Sequence, residues 1–416
     1  MTARLAQAVA FQRRPVASLL EHEHGNGSAF WLPTLIGGRM LVVATPALAH
    51  EVLHARPGVY VAGRANQRIL PVLPSETVLT LDGDEHQARR HLLAPLFHGE
   101  SLEAMAPIIR EIAARETAGW PIGAPFAALP RARFMTLCIA ARLLLGIQQP
   151  RLVADLERHL SRALHPYTML AGAQGLRRLG PASPQAAARR SRARFARGVA
   201  EVRGARARIS RAGPPDALDL LGPVIGAGLH DTRVGDELFA LLLAAHETTA
   251  AALAWSLELL AHDPETLTML AGATDRGDRP RLDAVISEIL RLRPPLVDIV
   301  RELSQPTRLG HLALAAGTLV LIPPPLIHRH GHSSPETFVA QRFLGDHPDS
   351  ETWLPFGGGE RRCLGASFAL LELREIITLI AERFEVHPAD GVREMAHLHG
   401  TALVPGRGAR VILRPR

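Results

Sequence analysis

Between residues 104 and 160 the apolar positions return again and again with the period of a helix that buries one face. Residues 232–262 carry the longest such pattern, which stops at Asp263-Pro264, where proline cannot continue a helix. At 1.5 Å per residue this helix would be about 46 Å long, enough to cross a whole domain. Residues 366–384 predict a further apolar helix. Strand signals are few. Leu41-Val42-Val43-Ala44-Thr45 reads as a short buried strand and Val59-Tyr60-Val61 as an extended piece, with a helix opened between them by Thr45-Pro46. Asp82-Gly83-Asp84-Glu85 opens another helix, with acidic residues where the helix dipole favours them. Proline, glycine and polar residues interrupt the pattern over residues 164–180. Nine arginines between positions 189 and 211 lie on a helix-like run, a pattern that usually marks a solvated face.

Composition adds bounds. The chain has 416 residues, 47% of them hydrophobic, which is ample for a large core and excludes general disorder. No composition break marks a linker, so residues 1–416 read as a single domain, with a small β-rich part over about 25–80 and a mainly helical part over 81–416. The formal charge is +7 and every one of the 47 basic residues is arginine. That accounts for the basicity without a nucleic-acid partner, and no aromatic residues interleave the arginines for stacking on bases. Two cysteines far apart, Cys138 and Cys363, exclude a disulfide scaffold and a four-thiolate metal site. The first 15 residues carry no leader pattern. Residues 238–260 could span a bilayer by length, but His246, Glu247, Thr248 and Thr249 fall at their centre, where a charge is costly. The expectation is a cytoplasmic protein without membrane contact.

The chemistry concentrates in Phe356-Gly357-Gly358-Gly359-Glu360-Arg361-Arg362-Cys363-Leu364-Gly365. One thiolate cannot build an iron-sulfur cluster, but it can be the single axial ligand of a haem iron. Cys363 lies just before the helix at 366–384, where the positive helix end and free backbone N–H groups favour an ionised sulfur. A Gly-x-Gly-x-x-Gly phosphate loop does not fit, because Arg362 takes the last glycine's place. Cys138 reads as a buried structural cysteine. In order and spacing, Phe356, Gly359, Arg361, Cys363 and Gly365 match Phe-x-x-Gly-x-Arg-x-Cys-x-Gly, and the chain thereby resembles the cytochrome P450 family.

The resemblance implies a mainly α fold, large and multi-helical with small peripheral β-sheets. It implies haem b, iron protoporphyrin IX, with Cys363 as the metal ligand, Phe356, Gly359 and Gly365 shaping its loop, and O2 as co-substrate. His86 and Arg90, four apart on one helix face, would bind the haem propionates with Arg301 and Arg361, whose forks suit carboxylates. Ala244-Ala245-His246-Glu247-Thr248-Thr249 is similar to the family's oxygen-binding segment. There Ala244 would lie beside the cofactor, Thr248 would hydrogen-bond the bound oxygen or its water, and Glu247 would relay protons. Ala245 stands where the family usually has glycine. Glu288 and Arg291, followed by Arg293-Pro294-Pro295, resemble the family's Glu-x-x-Arg, with Arg342 as the third partner and a role in folding. Residues 296–300 would run extended past the haem and line the pocket, and His165, Tyr167 and Met169 are further pocket candidates.

The function implied is that of a haem-thiolate monooxygenase acting on a hydrophobic small molecule by hydroxylation or epoxidation, the substrate being a secondary metabolite, a terpenoid or a fatty acyl chain. No flavin or ferredoxin signature is seen, so electrons are expected from a separate ferredoxin and ferredoxin reductase, or a flavodoxin-type donor. An acidic ferredoxin would dock around Arg362 and Arg89 on a monomeric enzyme. Other readings stay open at this point. They are a peroxide-driven enzyme of the same fold, against which Glu247 and Thr248 count, a non-catalytic haem-binding protein, and an arginine-rich nucleic-acid binder. Locally, Thr248 could simply bond back to the carbonyl four residues earlier. His246-Glu247 lacks the second histidine of a zinc protease, since Ala250 takes its place. The alternating histidines of His328-Arg329-His330-Gly331-His332 suggest a metal site.

Overall fold

The computed structural model of the chain describes residues 3–35, 38–163, 174–209, 231–275 and 278–416. Among the described residues are 14 α-helices and 12 strands. The first part alternates the two: α1 (Ala3–Arg13), α2 (Pro15–Asn26), β1 (Ala29–Pro33), β2 (Arg39–Val43), α3 (Pro46–Leu53), β3 (Tyr60–Val61) and α4 (Ala62–Ile69). Helices then take over, with α5 (Gly83–Leu93), α6 (Gly99–Ala118), the short β4 (Phe126–Ala127), α7 (Ala128–Leu145), α8 (Pro150–Ala163) and α9 (Pro184–Ile209). They continue through α10 (Asp231–Ala261), α11 (Pro264–Asp275) and α12 (Arg279–Leu292). Strands return as β5 (Ile299–Leu303), β6 (Thr307–Leu309), β7 (Leu312–Leu314) and β8 (Leu319–Ile322), followed by the single turn α13 (Pro324–Ile327). The chain closes with α14 (Ala366–Arg383), β9 (Phe384–Pro388), β10 (Ala396–His399), β11 (Ala402–Pro405) and β12 (Arg410–Pro415). The architecture is mainly α with small sheets, as the signature around Cys363 implies.

Local chemistry explains the framework. α10 is apolar on nearly every side through its second half, where Ala250 to Ala254, Trp255, Leu257, Leu259 and Leu260 are all buried. It packs against α7, α14 and β11, and 78% of its most apolar window is inside the molecule. Its hydrophobicity is therefore spent on the core, where each buried leucine contributes about 2 kcal/mol. α7 ends at Gly146, whose φ of 63° turns the chain so that its N–H reaches the Arg142 carbonyl and the Ile147 N–H the Ala141 carbonyl, each at 3.0 Å. α3 starts as expected, from an extended Thr45 with Pro46 at its first position.

The largest sheet runs β1-β2-β8-β5-β3. β2 and β8 pair in parallel, Met40 opposite Leu319 and Leu41 opposite Val320. Every residue of β8 is buried, because the sheet is covered on both faces. Phe30, Leu32, Val42 and Leu321 turn to one small core and Leu41, Val43, Val320 and Ile322 to another. That alternation is the two-residue period of a strand. A three-stranded sheet, β4-β12-β9, and the hairpins β6-β7 and β10-β11 complete the β structure.

Two further readings are settled by packing. Glu288 on α12 is fully buried and accepts hydrogen bonds from Arg291 Nε (2.6 Å) and Nη2 (3.0 Å), from Arg342 Nε (3.0 Å) and from the Val339 N–H (2.9 Å). This is the folding triad that the resemblance implies. The alternating histidines do not gather. His328 Nδ1 bonds the Arg291 carbonyl at 2.9 Å, its Nε2 accepts from the Leu354 N–H at 2.7 Å, and His330 Nε2 bonds the Ala44 carbonyl at 2.9 Å. On α9, Arg189, Arg190, Arg194 and Arg197 are exposed, as a solvated face requires. His165, Tyr167 and Met169 lie outside the described residues.

Candidate active site

The loop before α14 is shaped by glycines and by one backbone bond. Gly357 and Gly359 adopt φ of 67° and 65°, a region side chains disfavour. A Cβ on Gly359 would also sit 2.1 Å from the Leu53 carbonyl oxygen at the end of α3, so only glycine lets the loop approach. The Cys363 N–H donates to the Phe356 carbonyl at 2.8 Å and closes the loop. Phe356 packs edge-on to Trp353, whose indole N–H donates to the Ser287 carbonyl of α12 at 3.0 Å. Cys363 is free and keeps accessible surface, while Cys138 is buried as expected.

Opposing influences act on the free sulfur. Desolvation by the surrounding protein pushes the Cys363 thiol up, and the Gly365 N–H, Arg362 and Arg90 pull only partly the other way. Burial thus outweighs the helix end and the two arginines. Gly365, at the start of α14, has an ordinary φ of −90° and no protein atom within 4 Å of the position a Cβ would take. Nothing in the protein alone demands glycine there.

Beside this loop the structure gathers the four predicted propionate ligands. His86 and Arg301 are buried, and Arg90 and Arg361 are half-buried. Arg361 pairs with Asp82 at 2.6 Å and donates to the carbonyls of Val78 and Leu81. Asp82 also accepts the N–H groups of Gly63 (2.7 Å) and Arg64 (3.0 Å) at the start of α4. Arg301 donates only to the Val300 carbonyl, at 3.0 Å, and meets no carboxylate ion-pair partner among the described residues. His86 Nδ1 and Arg361 Nε are buried without any hydrogen-bond partner. The positive surplus shows in the pKa directions. Burial, then Arg361 and Arg90, lowers His86 to about 4, and burial followed by Arg361 lowers Arg301 to about 10. Three guanidinium groups and a histidine set against only Asp82 and Glu360 leave a surplus of positive charge largely withdrawn from water, which further anions would stabilise. The two carboxylates of a haem fit that need.

On α10 the predicted oxygen segment splits between two faces. Ala244 is exposed, and Leu241, Ala245 and Thr248 are half-buried, a stripe of accessible surface at helical spacing on an otherwise buried helix. Thr248 Oγ1 donates to the Ala244 carbonyl at 2.7 Å, the back-bond weighed above. Glu247 faces α7, where Arg133 holds one carboxylate oxygen through Nε (3.1 Å) and Nη2 (2.9 Å). Arg133 Nη2 is also 2.7 Å from His399 Nδ1 on β10. His246 is buried beside Glu247 and lowered to about 4, chiefly by burial, with Thr136 Oγ1 3.2 Å from its Nδ1.

Sequence reading missed Asp82, Arg133 and His399. Asp82 could have been found from its place before Gly83 at a helix start, but Arg133 and His399 lie in unrelated elements and only tertiary packing joins them. It also misjudged Arg89, which is not on an open docking face. Its guanidinium is ion-paired with the buried Glu237 of α10 and donates to the Glu76 carbonyl. Arg362 is exposed.

Comparison with known proteins bears on the family and the fold. The cytochrome P450 family pattern matches residues 205–411. The protein named cytochrome P450 135B1 of Mycobacterium tuberculosis is 34% identical over 430 residues, covering 98% of this chain and 89% of that protein. Cytochrome P450 138 of the same organism is 33% identical, over 94% of this chain and 90% of its own length. Among solved structures, retinoic-acid-bound cyanobacterial CYP120A1 shares the fold with a TM-score of 0.81 at 24% identity, covering 95% and 94% of the two chains. CYP175A1 from Thermus thermophilus matches with a TM-score of 0.73 at 27% identity, covering 97% and 96%. A third of the residues held in common over nearly the full length of both chains is more than a shared fold demands, and this chain belongs to the cytochrome P450 family, haem monooxygenases that use O2.

Proposed function

We propose that Cys363 ligates the iron of haem b and that the enzyme inserts one oxygen atom from O2 into a hydrophobic small molecule, with electrons from a separate ferredoxin and reductase. What supports this reading most is the cluster of His86, Arg90, Arg301 and Arg361, cationic and short of anions, beside the accessible thiol of Cys363. Arg301 and Arg361, with Arg90 and His86, would clamp the two propionates through charge-assisted hydrogen bonds. Cys363 would hold the iron as a thiolate, and Arg90, Arg362 and the Gly365 N–H are placed to stabilise that anion. Gly365 leaves room for a flat group against the start of α14. Haem held there would supply O2 activation and oxidation of the substrate, with the thiolate pushing electron density to favour O–O cleavage.

The chain's own part is positioning and proton handling. Leu241, Ala244 and Ala245 present an apolar wall that excludes water and favours an apolar substrate. Thr248 Oγ1, now turned to the Ala244 carbonyl, can rotate to order a water at that wall. Glu247 would help relay protons, and Arg133 sets which way its carboxylate points. A terpenoid or fatty acyl secondary metabolite, a cytoplasmic location and a monomer complete the reading. The test is the carbon-monoxide difference spectrum of the reduced protein, for wild type and Cys363→Ala. A strongly red-shifted Soret band that the variant loses is expected. A protein that purifies without haem, or a band indifferent to Cys363, overturns the proposal.

A further inference from the structure

Between α12 and β5 the chain runs from β11 to the cationic cluster, and Asp298 stands midway. At one end the Pro295 carbonyl accepts the Leu403 N–H of β11 at 2.7 Å, and the Leu403 carbonyl accepts the Trp255 indole N–H of α10 at 3.0 Å. Further on, Ile299 Cδ1 lies 3.9 Å from where a Cβ on Gly357 would sit, so the segment touches the Cys363 loop. Arg301 ends it among the propionate ligands. Asp298 thus lies on the stretch between the contact of Pro295 with β11 and that of Ile299 with the Cys363 loop. Its neighbours Val297 and Val300 are buried in the sheet core, whereas Asp298, like Cys363, is enclosed by protein and still keeps accessible surface.

The carboxylate has no company. Asp298 makes no ion pair and no side-chain hydrogen bond with another residue among the described residues, and its one stabilising contact is its own backbone N–H. The arginines of the propionate cluster act on Asp82 and Glu360 instead. Desolvation pushes its carboxyl up to about 6, the mark of a charge lacking a partner. An apolar pocket gains nothing from such a group unless a ligand completes it, and a site built to pair one polar group discriminates strongly against ligands that lack it.

We infer that Asp298 is a specificity-determining residue that selects hydrophobic substrates bearing a cationic nitrogen, which its carboxylate pairs at the pocket wall. The inference rests on the reading of the space between α10 and the Cys363 loop as the substrate pocket. It is tested with the haem-loaded protein at about pH 8, where the carboxyl is ionised, by following the spin-state shift with three ligands that share a decyl chain. Decyltrimethylammonium has no lone pair to offer iron, and decanol and decanoate are its neutral and anionic counterparts.

The wild type is expected to bind the ammonium about tenfold more tightly than decanol, with decanoate weakest. In Asp298→Asn the ammonium and the alcohol should fall within about threefold of each other, while Asp298→Glu keeps the preference. The same ranking in wild type and Asp298→Asn, a preference for decanoate, or no shift with the ammonium overturns the assignment. The carbon-monoxide spectrum of the same samples separates the two readings. A normal red-shifted band without an ammonium preference rejects the role of Asp298 alone, whereas absence of the band rejects the haem pocket and with it this inference.

Discussion

Gly359 and Gly365 stand six residues apart in one loop and are glycine for different reasons. Gly359 combines a positive φ with the Leu53 carbonyl at 2.1 Å from a would-be Cβ, so the folded protein itself requires it. Gly365 has neither constraint. Gly359→Ala is therefore expected to lower stability by at least about 2 kcal/mol through backbone strain and displacement of the loop. Gly365→Ala should leave the denaturant midpoint of the haem-free chain almost unchanged while speeding haem loss. Urea unfolding and haem transfer to an acceptor protein would separate the two, and equal effects on both properties would refute the distinction. Histidines make a second residue-scale prediction. Burial lowers His246 to about 4 and His328 to about 3, and each ring uses its nitrogens as a neutral imidazole. Because the folded pKa lies below the unfolded value, the unfolded chain takes up the proton first, and stability is lost as pH falls from 6.5 toward 4. Each ring contributes about 1.4 kcal/mol per pH unit in that window. A urea midpoint that stays flat from pH 7 to 4 would show that neither is held neutral.

Elements couple through a few buried charges. Arg133 of α7 reaches Glu247 of α10 and His399 of β10, and so ties three elements at the middle of the longest helix. Arg133→Ala leaves the Glu247 carboxylate buried without its partner and should cost about 3 kcal/mol, most of it recovered in Arg133→Ala/Glu247→Gln. Simple additivity of the two single changes would deny the coupling. The α12 triad is the stricter case. Glu288→Ala strands Arg291, whose side chain is 1% exposed, and should abolish haem-loaded protein in expression at ordinary temperature. The helices themselves were legible in the sequence because amphipathic period and caps are local, as the Thr45-Pro46 start of α3 and the Asp263-Pro264 stop after α10 illustrate. The Arg133–Glu247 tie was not, because a lone arginine in an apolar run says nothing of the element it faces.

At the scale of the whole molecule, charge decides where a partner can approach. Arg362 beside the Cys363 loop is exposed, whereas Arg89 is spent on Glu237. An acidic ferredoxin should therefore lose association rate with Arg362→Glu, severalfold at low ionic strength and less at high salt, as stopped-flow reduction would show. A rate indifferent to both the substitution and salt would place the electron donor elsewhere.

The sequence by itself determined the family and singled out the candidate cysteine ligand and the candidate cationic set, because Phe356 to Gly365, His86-x-x-x-Arg90 and Glu288-x-x-Arg291 are short-range spacings that a linear reading can see. It also determined that α10 would be long and apolar. Only the tertiary structure decided that β2 pairs with β8 across more than 270 residues, that Glu247 turns to Arg133 while Thr248 turns to the accessible stripe, that Arg89 is consumed internally, and that Asp298 is left alone. It likewise decided that burial outweighs the helix end at Cys363. The reason is common to all of these. Periodicity and motif spacing are set by neighbours a few residues away, whereas desolvation and the pairing of charges depend on which distant groups the fold brings within a few ångströms.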